Sequence, residues 1–226
     1  MNQLHPPTYH YADEMGHILL LALQEVLGSQ GTKAILVAAD LSDLAYRAFT
    51  GSPNDGLRFE QVSRIQDALE DFYGLQGGQG VAMRCGRTSF KYGLREFGER
   101  SGFTDLEFRL LPINDRVRVG TELLARVFND HTGHMVKVSN QADRYIWEIE
   151  RCPVCWGRHA SGVSCHLAVG ILQESLFWVS GGKYFNVKET HCIAKGDRTC
   201  TIVVNKKPLD QPGQYPGSGP PGVTYA

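Results

Sequence analysis

The sequence predicts an α+β fold, a helix-rich N-terminal half followed by a small antiparallel sheet with packed helices. Two observations carry that reading. Apolar residues recur at three- and four-residue intervals up to about position 129, the period of helices with one buried face, and beyond Val136 the period falls to two. The resulting order, helices and then β-β-α-β-β, lets neighbouring strands pair as hairpins while a helix covers one face.

The elements follow from the chain in order. Met15, Ile18, Leu19, Ala22, Leu23, Val26 and Leu27 share one helix face, and Gly28 is placed to end that helix. Leu41, Leu44, Ala45, Ala48 and Phe49 suggest a second helix, and Ser52-Pro53-Asn54-Asp55-Gly56 a loop. Phe59, Val62, Ile65, Leu69 and Phe72 mark a third helix. The glycine-rich stretch from Gly74 to Gly80 reads as a break, a fourth helix carries Phe90, Leu94 and Phe97, and a fifth spans Val119 to Asn129. Val136 and Val138 alternate with polar neighbours, as do Tyr145, Trp147 and Ile149, giving two strands. A helix starting near Ser164 then carries Cys165, Ala168, Val169, Leu172, Leu176 and Val179 in a stripe that Gly181-Gly182 ends. Phe185, Val187 and Glu189 share a strand face, Lys195-Gly196-Asp197 is a turn, and Cys200, Ile202 and Val204 share a face of the returning strand. Residues 1–207 read as a single domain, and the Pro- and Gly-rich segment 208–226 as a disordered tail.

Composition narrows the function. The 226 residues are 42% hydrophobic with a formal charge of −1, enough to bury a core and without the basic excess of a general nucleic-acid binder. The longest apolar run, Ile18 to Leu23, is far short of the ~20 residues that cross a bilayer. No secretory leader opens the chain, so a cytoplasmic location is expected, with peripheral attachment to a membrane left open.

Five of the six cysteines (Cys152, Cys155, Cys165, Cys192, Cys200) fall in the last third, with Cys85 apart. In a reducing compartment such clustering points to metal rather than disulfides. A hairpin brings Cys192 and Cys200 together, Glu189 lies three residues upstream on the same arm, and the preceding helix can deliver Cys165. Three thiolates and a carboxylate form a closed tetrahedral set suited to structural Zn²⁺. The same cysteines serve equally as small buried hydrophobes, and spacing alone leaves both readings open. Cys152-Pro153-Val154-Cys155 offers two alternative ligands, a redox pair, or two inert thiols.

At these residues a resemblance enters. The runs Cys152-Pro-Val-Cys-Trp-Gly-Arg158, Cys165 to Ser175, Trp178 to Gly182 and Glu189-Thr-His-Cys-Ile-Ala-Lys-Gly-Asp-Arg-Thr-Cys200 resemble the 4-vinyl reductase domain, near its bacteriochlorophyll-biosynthesis branch. Arg87 to Gly93 and Phe108 to Pro112 extend the likeness towards the N-terminus. The resemblance implies zinc held by Cys165, Glu189, Cys192 and Cys200, as in similar domains of aromatic-sensing transcriptional activators. It also implies a fold like that of TRAPP transport-complex subunits, with a hydrophobic ligand channel and a tendency to form homodimers.

Other sites are weaker. Gly74 to Gly80 lacks the Gly-Lys-Ser/Thr ending of a phosphate loop. His131 and His134 read as solvated or capping residues. No catalytic triad stands out, and the sequence carries no nucleotide fingerprint. Trp147 and Trp178 supply flat apolar surface for a ligand, and Arg87 and Lys91, one helical turn apart, are candidates to pair with its carboxylates. The leading expectation is thus a non-catalytic, zinc-containing tetrapyrrole carrier or assembly factor, bound to a chlorophyll precursor and working with pigment-synthesis or photosystem-assembly proteins. The alternatives are a tetrapyrrole vinyl reductase and a sensor of small aromatic ligands.

Overall fold

The computed structural model describes residues 9–47 and 56–209. Its elements are α1 (Asp13–Ala38), α2 (Ser42–Arg47), α3 (Phe59–Tyr73), α4 (Leu75–Ser101), α5 (Leu106–Leu110), α6 (Ile113–His131), β1 (Val136–Asn140), β2 (Arg144–Ile149), α7 (His166–Ser180), β3 (Phe185–His191) and β4 (Cys200–Pro208). The chain has the expected α+β class, with one four-stranded antiparallel sheet in the order β1-β2-β4-β3.

Strand alternation sets the buried face. Trp147 stands opposite Val138 and Ile202, and Tyr145 opposite Val204, so the inward residues of the two central strands meet side by side. The helices cover this face, with α6 against β1 and α7 against β3. Cys200 pairs with Ile149 at the sheet end where β4 begins, which leaves its thiol beside the loop that follows β2.

The packing of α4 against α7 depends on two glycines. A Cβ on Gly86 would lie 2.1 Å from the Leu167 carbonyl oxygen, and one on Gly170 would lie 2.1 Å from that of Met83. Each helix presses its backbone onto the glycine of the other. This close crossing also sets the depth at which Cys165, the N-cap of α7, enters the interior.

Several elements differ from the sequence expectation. Gly28 does break the helix, at φ 71°, but helix resumes because Thr32, Ile35 and Leu36 form a second buried stripe. Gly74, at φ 74°, is the whole of the break before α4. The glycines after it lie in the helix, and Gly78 fits against α3, where a Cβ would come within 2.5 Å of the Leu69 carbonyl. Phe72 is 60% exposed rather than on the buried stripe. The fifth helix of the sequence reading begins earlier, at Ile113, directly after Pro112, and the short α5 precedes it. Pro208 closes β4 instead of opening a tail. Ala48, Phe49, Ser52 to Asp55 and positions 210–226 lie outside the described residues. No helix among those described is long and apolar enough to cross a membrane.

Candidate functional site

Three segments converge on a buried thiol cluster. The loop after β2 brings Cys152 and Cys155 and is tied to α3. Trp156 Nε1 donates to Glu60 Oε1 at 3.1 Å, and the Arg158 guanidinium contacts Glu70 at 2.6 Å and Asp67 at 2.5 Å. The start of α7 brings Cys165. The β3–β4 connection brings Glu189, Cys192 and Cys200, and its turn is fixed by the Cys192 N–H donating to Asp197 Oδ2 at 2.8 Å and by Gly196 at φ 101°.

The sulfurs sit in mutual contact. Cys165 lies 3.4 Å from Cys152, 3.5 Å from Cys200 and 3.8 Å from Cys192, while Cys200 lies 3.3 Å from Cys155 and 3.9 Å from Cys192. These separations are far beyond a disulfide bond of about 2.0 Å, and all five thiols are free. They approach the spacing of about 3.8 Å that sulfurs take around a tetrahedral zinc with Zn–S near 2.3 Å. Two four-residue sets have every ligand atom within 4.8 Å of the others: Cys165, Glu189, Cys192 and Cys200, and Cys152, Cys155, Cys165 and Cys200.

Glu189 shows what the cluster lacks in charge. Its Oε2 accepts the Cys165 N–H at 2.7 Å, but Oε1 is buried with no hydrogen-bond partner. Burial, and then the negative charge of Cys192, push its carboxyl up to about 8. A cation among these sulfurs would reverse both effects, since a buried carboxylate is stable only when paired. The donor set therefore fits a thiophilic divalent metal. Cys85 has no part in it: it is buried within α4, and desolvation pushes its thiol up to about 12.

Beside the cluster lies an apolar cavity of about 60 Å³, walled by α1, α4, α6 and α7. On α4, the small residues Ser89, Gly93, Gly98 and Ser101 alternate with Phe90, Leu94 and Phe97 along the cavity wall. Ser89 Oγ is buried without a partner. A smaller cavity of about 20 Å³ shares Tyr11, Phe128, Leu167 and Ile171 with the first and reaches Val154 of the thiol loop. His134 lines this second space. It is buried among Tyr11, Phe59 and Phe128, with Nδ1 2.6 Å from Thr132 Oγ1, and desolvation lowers its pKa to about 3. It is neither solvated nor a cap, contrary to the sequence reading.

The metal-ligand candidates thus come together, including both alternatives. The ligand-binding candidates are dispersed. Arg87 bonds to Gln173 Oε1 at 2.7 Å, Lys91 lies 3.9 Å from Glu174, and neither lines either cavity. Trp147 lines the smaller cavity, and Trp178 is 37% exposed beside Phe103. Ser89 and the cavity itself escaped sequence reasoning. The signal was a set of small residues, Ser89, Gly93, Gly98 and Ser101, within an apolar helical stripe.

No family model matches the chain, and no curated protein matches it. Solved structures do. An H-NOX protein from S. oneidensis in the Fe(II)NO state superposes with a TM-score of 0.57 at 11% identity, covering 86% of this chain and 99% of that one. An Fe(II) unliganded H-NOX protein from K. algicida gives 0.53 at 9% identity, covering 89% and 98%. The phenol-responsive sensory domain of the transcription activator PoxR, with phenol, gives 0.51 at 18% identity, covering 69% and 76%.

The chain has the H-NOX fold. That finding corrects the resemblance read from the motifs. The neighbours are H-NOX proteins and a phenol-sensory domain, so assignment to the 4-vinyl reductase family falls, and chlorophyll biosynthesis and photosynthesis fall with it. The physical reason lies in the motif. A Glu-x-x-Cys hairpin closed by a second Cys reports local donor geometry, which is a weaker constraint than the course of the whole chain.

H-NOX relatives are described in terms of heme distortion, so heme is the group this fold implies. The larger cavity does not fit it. Among the described residues no His, Cys, Arg or Lys lines the space, and the axial donors they offer are Tyr11, whose phenol burial keeps protonated, and Met15. In the smaller cavity His134 has its Nδ1 on Thr132 Oγ1, and that space is smaller still.

Proposed function

We propose that this chain is a sensory domain for a small aromatic ligand, stabilised by zinc at Cys165, Glu189, Cys192 and Cys200. The observation that carries the ligand reading is the apolar cavity holding one unpaired buried hydroxyl, Ser89 Oγ. Such a space suits a single ring bearing one hydrogen-bonding group, with the ring in the apolar part and the polar atom on Ser89. The cavity is compact, and Met15 and Leu94 are the flexible side chains whose rotation admits a ring. A tetrapyrrole, the occupant suggested by the heme-binding neighbours, would require α1 and α4 to part. The phenol-responsive neighbour supports the smaller ligand. For the metal, the support is the orphaned Glu189 Oε1 among thiols.

Titration calorimetry with phenol and toluene tests the ligand. Phenol should bind more tightly than toluene, and Ser89→Ala should weaken phenol by about 5–10-fold, the value of one net hydrogen bond, while leaving toluene unchanged. Equal affinities in wild type and variant, or heme binding with a sharp Soret band and no phenol binding, refute this reading.

A further inference from the structure

We infer that the cluster is built for two metal ions, sharing Cys165 and Cys200 as bridging thiolates. This rests on the zinc set proposed above and adds Cys152 and Cys155 as terminal ligands of a second zinc.

The two four-residue sets are not rivals for one position. They share the Cys165–Cys200 edge, with Cys152 and Cys155 completing one set and Glu189 and Cys192 the other. Cys165 contacts both Cys152 and Cys192, and Cys200 contacts both Cys155 and Cys192. Two tetrahedra joined along an edge have this connectivity.

Charge favours the second ion. One zinc with three thiolates and a carboxylate carries two net negative charges, and leaves Cys152 and Cys155 as thiols pressed against ligand sulfurs. A second Zn²⁺ binds as those two thiols release their protons, so the net charge of the buried site does not change. Every sulfur is then metal-bound, and each thiolate shares its charge with a cation. The Ile193 N–H, 3.4 Å from the Cys200 sulfur, gives one bridging thiolate a backbone donor. The loop geometry agrees, since Cys-x-x-Cys is a spacing that places two thiolates on one zinc.

The test is metal content per chain after zinc saturation and desalting, with a cadmium-113 NMR spectrum of the same full-length protein loaded with cadmium. Wild type should hold two ions, and its two cadmium resonances should split each other through the bridging sulfurs. The Cys152→Ser/Cys155→Ser double variant should hold one. A single ion in wild type that persists in the double variant overturns the binuclear inference and leaves the Glu189 set standing. A single ion lost in the double variant overturns both, because the metal would then sit on the Cys152 side. No metal in wild type also overturns both. Two unsplit resonances overturn the bridge. The wild-type spectrum decides the matter even where the variant fails to fold.

Discussion

Consider replacing Gly170 by alanine. In an isolated helix the change stabilises, since alanine exceeds glycine by about 1 kcal/mol in helix propensity. At this position the added methyl would stand 2.1 Å from the Met83 carbonyl oxygen, and that atom is backbone of α4, unable to rotate aside. Non-bonded heavy atoms rest about 3.5 Å apart, so α4 and α7 must separate by more than 1 Å along their crossing. Overpacking of this kind costs typically 1–3 kcal/mol, and more where backbone must move. The packing term therefore wins, and a net loss of about 2 kcal/mol is expected, or a fall of about 4–8 °C in melting temperature for a chain of this size. Gly86→Ala, which meets the Leu167 carbonyl from the opposite side, should behave alike. Gly80→Ala on the same α4 helix is the control: nothing lies within 4 Å of its added Cβ, so only propensity acts and it should stabilise slightly. Thermal and urea unfolding of the three variants checks the order. A Gly170→Ala protein as stable as wild type would mean that α4 and α7 do not cross as closely as described.

Two further outcomes follow from buried polar groups. His134, with its pKa lowered to about 3 in the fold against an unfolded value near 6.5, is neutral when folded, so stability is full above pH 6.5 and drains as pH falls; the loss reaches roughly 2 kcal/mol by pH 5 from this group. Denaturant midpoints of His134→Gln between pH 7 and 5 should fall less steeply than those of wild type, and parallel curves would exclude this origin. Arg158→Met should cost roughly 2 kcal/mol, below the range for a fully buried pair because Asp67 is half exposed while Glu70 is left unpaired inside; an unchanged urea midpoint would show that the thiol loop does not depend on α3.

Much of the fold was legible because its signals are periodic. The switch from the stripe of α6 to the alternation of Tyr145, Trp147 and Ile149 places the sheet without reference to tertiary contacts. Glycine misled where its role was tertiary. Gly77, Gly78 and Gly80 look like a loop, yet they lie in α4, and Gly78 is there because α3 passes too close for a side chain. The convergence of Glu189, Cys192 and Cys200 was legible because a hairpin turn brings its flanking residues together. The cavity was not, since which elements face Ser89 and Gly93 depends on long-range packing. His134 was misread for a related reason: its burial comes from Tyr11 and Phe59, distant in sequence. The family resemblance failed because a ligand motif constrains a few residues, while the fold is set by all of them.

The geometry also decides how a ligand event would leave the cavity. α7 begins at Cys165, inside the thiol cluster, and two residues later Leu167 lines both cavities, with Ile171 one turn beyond. With the proposed metal on Cys165, a rigid helix held at its N-terminus could not slide along its axis. It could yield only by tilting about that point, which moves its C-terminal end the most. The glycine crossing limits that tilt at Gly170, so a ring pressing on Leu167 would act on the segment between the two contacts and transfer its load to α4 through Gly86, which meets the Leu167 carbonyl. Removing that metal would free the first contact and soften the cavity wall. Under the proposed function, ligand affinity and metal affinity would be thermodynamically linked, each changing the other by the same factor.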